Sequence, residues 1–362
     1  MKKRPYGPSL YYASDKNVFD ALNQHKVDMP TVLTLFQRRN IIVGKKTPRE
    51  DLAKYFARLT HDYYDHKDIA ARLGIAPRRE RITSMDVMGV TDKEAIKVAV
   101  EKIKQELEAA GDVVHVSQEG DNLTVQVQYS TVDYNLNELS QVQIRDGAVE
   151  FVKSADGYII RNTQNDYLNG VRETLLGKIE KAADASFSKV EVSLFDIPSP
   201  KLRSKFFDEL TKALPGYVRR DVTDVYVYKP KPETDDHDDP SDPDSHIERV
   251  FLRGNGLSHS ELLDDLLEKE DYYIVKIGWT AKETLGAGHF YDIEAVFTDP
   301  KDCTGFSFIL KGICFVEDGK VSNRRRTPTK DDINTISRAI ETKSRELVTT
   351  LREELAKSSG DA

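Results

Sequence analysis

The fold class is decided by a stretch of ten residues, Leu123-Thr124-Val125-Gln126-Val127-Gln128-Tyr129-Ser130-Thr131-Val132. Apolar and polar side chains alternate along it. A strand with this period of two has one buried face and one solvated face, which is typical of strands in an antiparallel sheet. The sequence therefore predicts that sheets of this kind form the body of the protein.

Further strands and helices are predicted on both sides of this stretch. The segment 92–110 carries apolar residues at helical spacing, and 164–183 does the same. Arg145-Asp146-Gly147 contains an Asp-Gly pair, which favours a hairpin turn between strands at 141–144 and 148–152. The other predicted strands lie at 113–116, 158–161, 189–195, 224–228, 247–252, 272–279, 290–297 and 306–316.

Helix caps are the second guide to the fold. Thr47 with Pro48 and Glu50 predicts one helix start, and Ser258 with Glu261 predicts another. Thr329, with Asp332 three residues later, predicts the start of a long C-terminal helix. Its apolar stripe consists of Ile333, Ile336, Ile340, Leu347, Leu351 and Leu355.

We therefore predict an α+β protein, with a small basic helical N-terminal domain followed by two antiparallel sheet-plus-long-helix units. The predicted segments are 1–80 for the helical domain and 81–229 for the first α+β domain. An acidic disordered linker or loop at 230–246 precedes the last domain, 247–362. The linker is rich in Asp and Pro, so its charges repel and nothing in it can be buried.

Composition excludes several classes of protein. The chain has 362 residues with 39% hydrophobic residues and a mean hydropathy of -0.54, and it has no apolar run long enough to span a membrane. The basic start lacks the apolar segment of a secretory signal. Cys303 and Cys314 fit no zinc motif, and we expect two buried thiols in a cytoplasmic protein.

Charge is unevenly distributed along the chain. Residues 1–82 hold 17 Lys and Arg against 9 Asp and Glu, whereas the remainder holds 36 against 52. A basic head on an acidic body indicates a nucleic-acid partner for the head. The alternative is that the two parts of the chain attract each other.

The segment 31–59 is the most informative part of the basic head. A short helix ends at Arg38-Arg39-Asn40, the apolar pair Ile41-Ile42 follows and plugs the core, and a Gly-Lys-Lys turn leads to a second helix. This pattern resembles the helix–extended loop–helix module of the SAP and Rho N-terminal type. The resemblance implies DNA or RNA binding. Asn40 stands where that family has glycine, and Asn tolerates left-handed backbone.

Phosphate favours a helix N-terminus surrounded by cations, so basic residues near the second helix are the candidate contacts. An Arg triplet in the predicted loop before the C-terminal helix is a further candidate, although such a triplet also pairs readily with Asp331 and Asp332. We expect no cofactor and no specific metal site, and DNA is favoured over RNA. The candidate nucleic-acid-binding residues are Arg38, Arg39, Lys45, Lys46, Arg49, Lys54, Arg78, Arg79, Arg81, Arg324, Arg325 and Arg326.

Two other functions stay open at the level of sequence. The stripe of the C-terminal helix offers a docking face for a protein partner or a second copy, which would make the chain an interaction subunit of a larger complex. Asp292 and Glu294 share one face of a predicted strand, with Lys276 and Lys311 on neighbouring strands. That arrangement is the basis of a metal-dependent nuclease hypothesis.

Overall fold

The computed structural model describes residues 13–24, 27–44, 46–73, 79–89, 93–231, 247–286, 288–317 and 320–360. These residues form an α+β structure with a helical N-terminal region. The helices are α1 (Asp15–Asn23), α2 (Met29–Gln37), α3 (Arg49–Ala57), α4 (Tyr63–Leu73), α5 (Lys93–Ala109), α6 (Asp166–Ala183), α7 (Pro200–Lys212), α8 (Glu261–Lys269) and α9 (Lys330–Gly360). The strands are β1 (Ile82–Met88), β2 (Val113–Glu119), β3 (Asn122–Val132), β4 (Val142–Lys153), β5 (Gly157–Thr163), β6 (Ser188–Glu191), β7 (Tyr217–Tyr228), β8 (Arg249–Arg253), β9 (Tyr273–Glu283), β10 (Phe290–Asp299), β11 (Thr304–Glu317) and β12 (Lys320–Arg326).

The chain divides into two compact units that do not follow the predicted segments. Unit 1 consists of Met1–Arg78, Lys93–Ala148 and Thr174–Ala182. Unit 2 consists of the remaining ranges, Arg79–Asp92, Val149–Glu173 and Ala183–Ala362.

Unit 1 joins the four N-terminal helices to an antiparallel strand pair. Aromatic and aliphatic side chains of α1 to α4, among them Phe36 and Phe56, form one buried cluster. Strand β3 pairs with β2, and its alternating residues Val125 and Val127 are buried as the sequence predicts. The α5 stripe is buried as well, which leaves the polar face of this helix in solvent.

Unit 2 contains most strands of the antiparallel sheet, in the order β5-β1-β11-β10-β9-β7-β8, with the last residues of β4 beside β5. One cross-strand row of this sheet runs Leu252, Val225, Ile277, Ala295 and Phe308, and it faces the core. Helices α7 and α9 add side chains to the same core. Because side chains alternate along strands, the neighbouring rows project from the opposite face of the sheet.

The Asp146-Gly147 pair is not a turn, so the hairpin prediction is wrong. Strand β4 continues through both residues, and neither has the positive φ that such a turn requires. The Gln128 amide on β3 donates to the Asp146 carboxylate at 2.9 Å. The Asp146-Gly147 pair therefore lies within β4, and a hydrogen bond from the neighbouring strand β3 holds Asp146 in place.

Two of the three predicted helix caps are displaced. Pro48 precedes α3 with ψ 145 and no side chain caps that helix, because the extended proline places Thr47 one residue too far out. Ser260 rather than Ser258 caps α8. At α9 the prediction is confirmed, since the Thr329 amide donates to the Asp332 carboxylate at 2.8 Å and the Asp332 amide donates to the Thr329 hydroxyl at 3.3 Å.

The C-terminal stripe is used inside unit 2. Ile336, Ile340 and Leu351 are at most 1% exposed and belong to its core, while Ile333 and Leu355 pack at its margin. The predicted docking face for a partner or second copy is therefore already covered by the unit's own sheet and helices.

The acidic segment falls almost wholly outside the described residues, as do Lys45 and Arg78. Both thiols are free, but only Cys303 is buried and Cys314 is half-buried. Within the described part of the chain, no helix has the length and apolar character needed to cross a bilayer.

Candidate functional site

The arginines at the end of α2 are engaged within unit 1. Arg38 forms an ion pair with Asp68, and Arg39 forms one with Asp65. The Arg39 guanidinium also lies 5.1 Å from the centre of the Phe56 ring. Since α4 supplies both carboxylates, these arginines hold α2 against α4 and are partly neutralised there.

Arg49 has a structural role in the head. Its Nη1 donates to the carbonyl oxygens of Leu22 at 3.0 Å and Gln24 at 3.1 Å, and to that of Val27. The guanidinium thereby satisfies carbonyls at the end of α1 and just beyond it.

Lys46 and Lys54 remain as exposed cations in the helical head, and neither forms an ion pair with a described residue. Asn40 has φ 56, as expected of a residue standing in place of glycine. Ile42 is 97% exposed, so it does not plug the core, and only Ile41 packs against the helices.

Unit 2 carries a second and larger group of charges on the face of its sheet opposite the core. One cross-strand row on that face runs Phe251, Tyr226, Lys276, Val296 and Ser307. The next row runs Arg253, Asp224, Gly278, Glu294 and Ile309. We call this surface the cationic sheet face, and its basic members are Arg81, Arg249, Arg253, Lys276, Lys311 and Arg325.

Glu294 is the centre of this surface. Its carboxylate is 4% exposed and accepts from Arg81 at 2.6 and 3.1 Å, Lys311 at 2.6 Å and Lys276 at 3.1 Å. Burial by itself would raise its pKa, but the bonds from Lys311 and Arg81 and the charge of Lys276 outweigh burial and lower the pKa to about 2. One buried anion therefore gathers three cations from three different segments of unit 2.

Asp224 and Gly278 shape the neighbouring part of the face. Arg253 lies 3.3 Å from Asp224, while its own side chain stays 78% exposed. A Cβ at Gly278 would stand 3.0 Å from an Asp224 oxygen, which is closer than ordinary van der Waals contact, so any other residue there would require the Asp224 carboxylate to shift. Because Gly278 stands between Asp224 and Glu294, no side chain fills the surface between these two acids. The Lys311 ammonium lies beside this gap, 3.8 Å from an Asp224 oxygen.

Asp292 completes the set of acids. It accepts from the Thr280 hydroxyl at 2.9 Å and lies 2.6 Å from Arg325, whose side chain is 63% exposed. With Glu248, which lies 3.9 Å from Arg249, four acids therefore pair with the six basic residues of this surface, and Arg253 and Arg325 keep most of their area in water. A surplus of positive charge remains available to an anionic ligand.

The other predicted basic residues of unit 2 take separate positions. Residues 324–326 lie on strand β12, which pairs with β11, so the predicted loop is wrong. Arg326 pairs with Asp332 at 2.7 Å and lies 4.7 Å from the Phe315 ring, while Arg324 is exposed. Arg79 is exposed and donates to the Leu310 carbonyl at 3.4 Å.

Strand β8 supplies residues that sequence reasoning missed. Val250 and Leu252 pack at the margin of the core, so Arg249, Phe251 and Arg253 all project to the other side. The alternation Arg-x-Phe-x-Arg is a period-two signal and was readable in the sequence.

The four residues of the nuclease hypothesis do come together, but not as a metal site. Lys276 and Lys311 lie against the Glu294 oxygens that a metal ion would need, and the third contact comes from Arg81. A divalent cation there would have to displace positive charge. Among the described residues, no cluster of three His, Cys, Asp or Glu side chains is arranged to hold a metal.

Comparisons of the chain with protein-family models and with curated protein sequences find no match.

Proposed function

We propose that the protein binds nucleic acid without cleaving it, through phosphate contacts made by the cationic sheet face. The observation that carries the proposal is the convergence of six basic side chains on one side of a single sheet. Strands fix the spacing of the backbone positions that carry these groups, so binding of a polyanion orders side chains but little backbone.

The helical head supplies the second set of contacts in this proposal. Its resemblance to the SAP and Rho N-terminal module supports this role, and Lys46 and Lys54 are two exposed cations among its described residues. Arg38, Arg39 and Arg49 would contribute less, because each already binds a carboxylate or carbonyl oxygens within the head. The two free thiols favour the reducing cytoplasm as the place of action.

Binding of labelled DNA and RNA strands and duplexes by the full chain, across a salt series from 50 to 300 mM, tests the proposal. Phosphate contacts release counterions, so the logarithm of the affinity should fall linearly with the logarithm of salt, by about 0.7 to 0.9 per contacted phosphate. Absence of binding to every probe at the lowest salt would refute it.

Incubation of the same probes with Mg²⁺ or Mn²⁺ tests the part of the proposal that excludes cleavage. The cations packed against Glu294 oppose a metal-dependent nuclease, so the probes should stay intact. Cleavage that Glu294→Gln abolishes would establish the nuclease instead.

A further inference from the structure

An exposed aromatic residue lies between two arginines on the sheet face of unit 2. On β8 the side chains of Arg249, Phe251 and Arg253 point the same way, with exposed fractions of 53%, 48% and 78%. Residues two apart on a strand are separated by about 6.6 Å, so each arginine stands one such step from the ring.

The Phe251 ring packs against an aromatic side chain of the adjacent strand, β7. Phe251 stands opposite Tyr226 in the pairing of β8 with β7, and the two ring centres are 6.0 Å apart at 43°. Tyr226 is half-buried, and Lys276 follows it in the same row. Phe251 is thus backed on one side and open to solvent on the other.

We infer that Phe251 is a stacking platform for an unpaired base, and that the cationic sheet face takes single-stranded nucleic acid in preference to duplex. This inference rests on the function proposed above and names the substrate class of the same surface. Any base has a flat face that stacks on an aromatic ring, whereas bases within a duplex already stack on each other. Flanking arginines place positive charge where the phosphates on either side of that base would lie.

The chemistry of the surface selects this occupant over others. An acidic protein would satisfy the arginines but has no reason to require a flat ring between them. A free phosphate ion would pair with the arginines but would make no stacking contact with Phe251. A single strand uses both, since it offers anions and unpaired rings in alternation.

The decisive experiment compares the full-length protein with its Phe251→Ala variant on three 20-nucleotide probes. The probes are a thymidine strand, a strand of the same length made of abasic sites, and a duplex. The wild type should bind the thymidine strand about tenfold more tightly than the abasic strand, and Phe251→Ala should lose that difference while keeping its affinity for the abasic strand. Phe251→Trp should restore it.

Phe195→Ala is the matched control, because Phe195 is 66% exposed in unit 2 and outside the sheet rows. It should bind all probes as the wild type does. A uridine strand in place of thymidine distinguishes RNA from DNA as the source of the strand.

Two results would overturn the inference without touching the proposed function: equal affinity of the wild type for thymidine and abasic strands, or an unchanged preference in Phe251→Ala. A dimer of the wild type that Phe251→Ala dissociates, with strand binding unchanged, would assign the surface to self-association and also overturn it. Failure of the proposed function would look different, as the wild type would bind no probe at any salt concentration.

Discussion

Glu294 shows how one buried carboxylate organises a surface. Its charge is retained in the interior because three cations surround it, and those cations come from residues as far apart in sequence as Arg81 and Lys311. The sequence already placed Asp292 and Glu294 on one strand face with Lys276 and Lys311 beside them. Arg81 was expected to extend the phosphate-binding surface just after the head, because no local pattern links it to a strand more than 200 residues away.

The depressed pKa of Glu294 makes stability depend on pH. Its carboxyl has a pKa of about 2 when folded and an ordinary value of 4.5, so the folded protein favours the ionised form. The stabilisation is complete above pH 4.5 and is lost as pH falls towards 2, and it amounts to at most about 3 kcal/mol.

Glu294→Gln should therefore lower the free energy of unfolding at pH 7 by about 3 kcal/mol, and the deficit should shrink towards pH 2. Urea unfolding at pH 7, 4 and 3 measures this. Glu268→Gln removes an exposed carboxylate and should change little at any pH. A deficit for Glu294→Gln that stays constant with pH would contradict the assigned ion cluster.

At the scale of secondary-structure elements, period-two and helical patterns predicted most strands and helices, and failures occurred where tertiary context overrode local chemistry. Asp146-Gly147 has the composition of a turn but lies within β4, where β3 holds it. The start of β7 at Tyr217 was missed because Arg219, Arg220 and Asp221 interrupt its apolar pattern. Residues 324–326 were expected in a loop for the same reason, since three consecutive arginines are unusual in a strand.

Helix α9 is anchored to the sheet of unit 2 by a buried ion pair. Arg161 on β5 donates to both oxygens of Glu341 at 2.6 and 2.8 Å, and both side chains are at most 4% exposed. Neither partner was predictable from sequence, because the pair spans 180 residues.

Glu341→Ala should cost about 3–5 kcal/mol, because it leaves the Arg161 charge buried without a partner. Replacing both residues, Arg161→Met with Glu341→Leu, should recover most of that loss. Glu346→Gln on the same helix removes an exposed carboxylate and serves as the control. Chemical denaturation of the variants gives these values, and a cost under about 1 kcal/mol for Glu341→Ala would show that the pair does not anchor the helix.

At the scale of the whole molecule, net charge is a poor guide to the binding surface. The chain carries -8, yet five of the six basic residues of the cationic sheet face lie in the part of the sequence with the acidic surplus. In the described residues of the helical head, 13–73, nine Lys and Arg stand against eight Asp and Glu. The uneven charge along the sequence therefore indicates a nucleic-acid partner. It does not locate the binding surface, because much of the positive surplus of the head lies outside its described helices.

The acidic segment between β7 and β8 gives a prediction at this scale. Seven Asp and Glu occur in 232–246, close in sequence to the strand that carries Arg249 and Arg253. Like charge near a binding surface repels a polyanion. Replacing all seven with Asn and Gln should tighten nucleic-acid binding several-fold at 50 mM salt and less at 300 mM. Equal affinity of the two proteins at low salt would refute this effect.

The central claim is that arginines of β8 contact phosphates, and the salt dependence of binding by an Arg249→Gln, Arg253→Gln double variant tests it most directly. The double variant Lys97→Gln, Lys102→Gln on α5 is the matched control, because it removes two exposed charges far from β8 in sequence. We expect the slope of log affinity against log salt for a single strand to become shallower by about 1.4 in the β8 variant and to stay unchanged in the control. Identical slopes for the wild type and the β8 variant would contradict the account and direct the search to another surface.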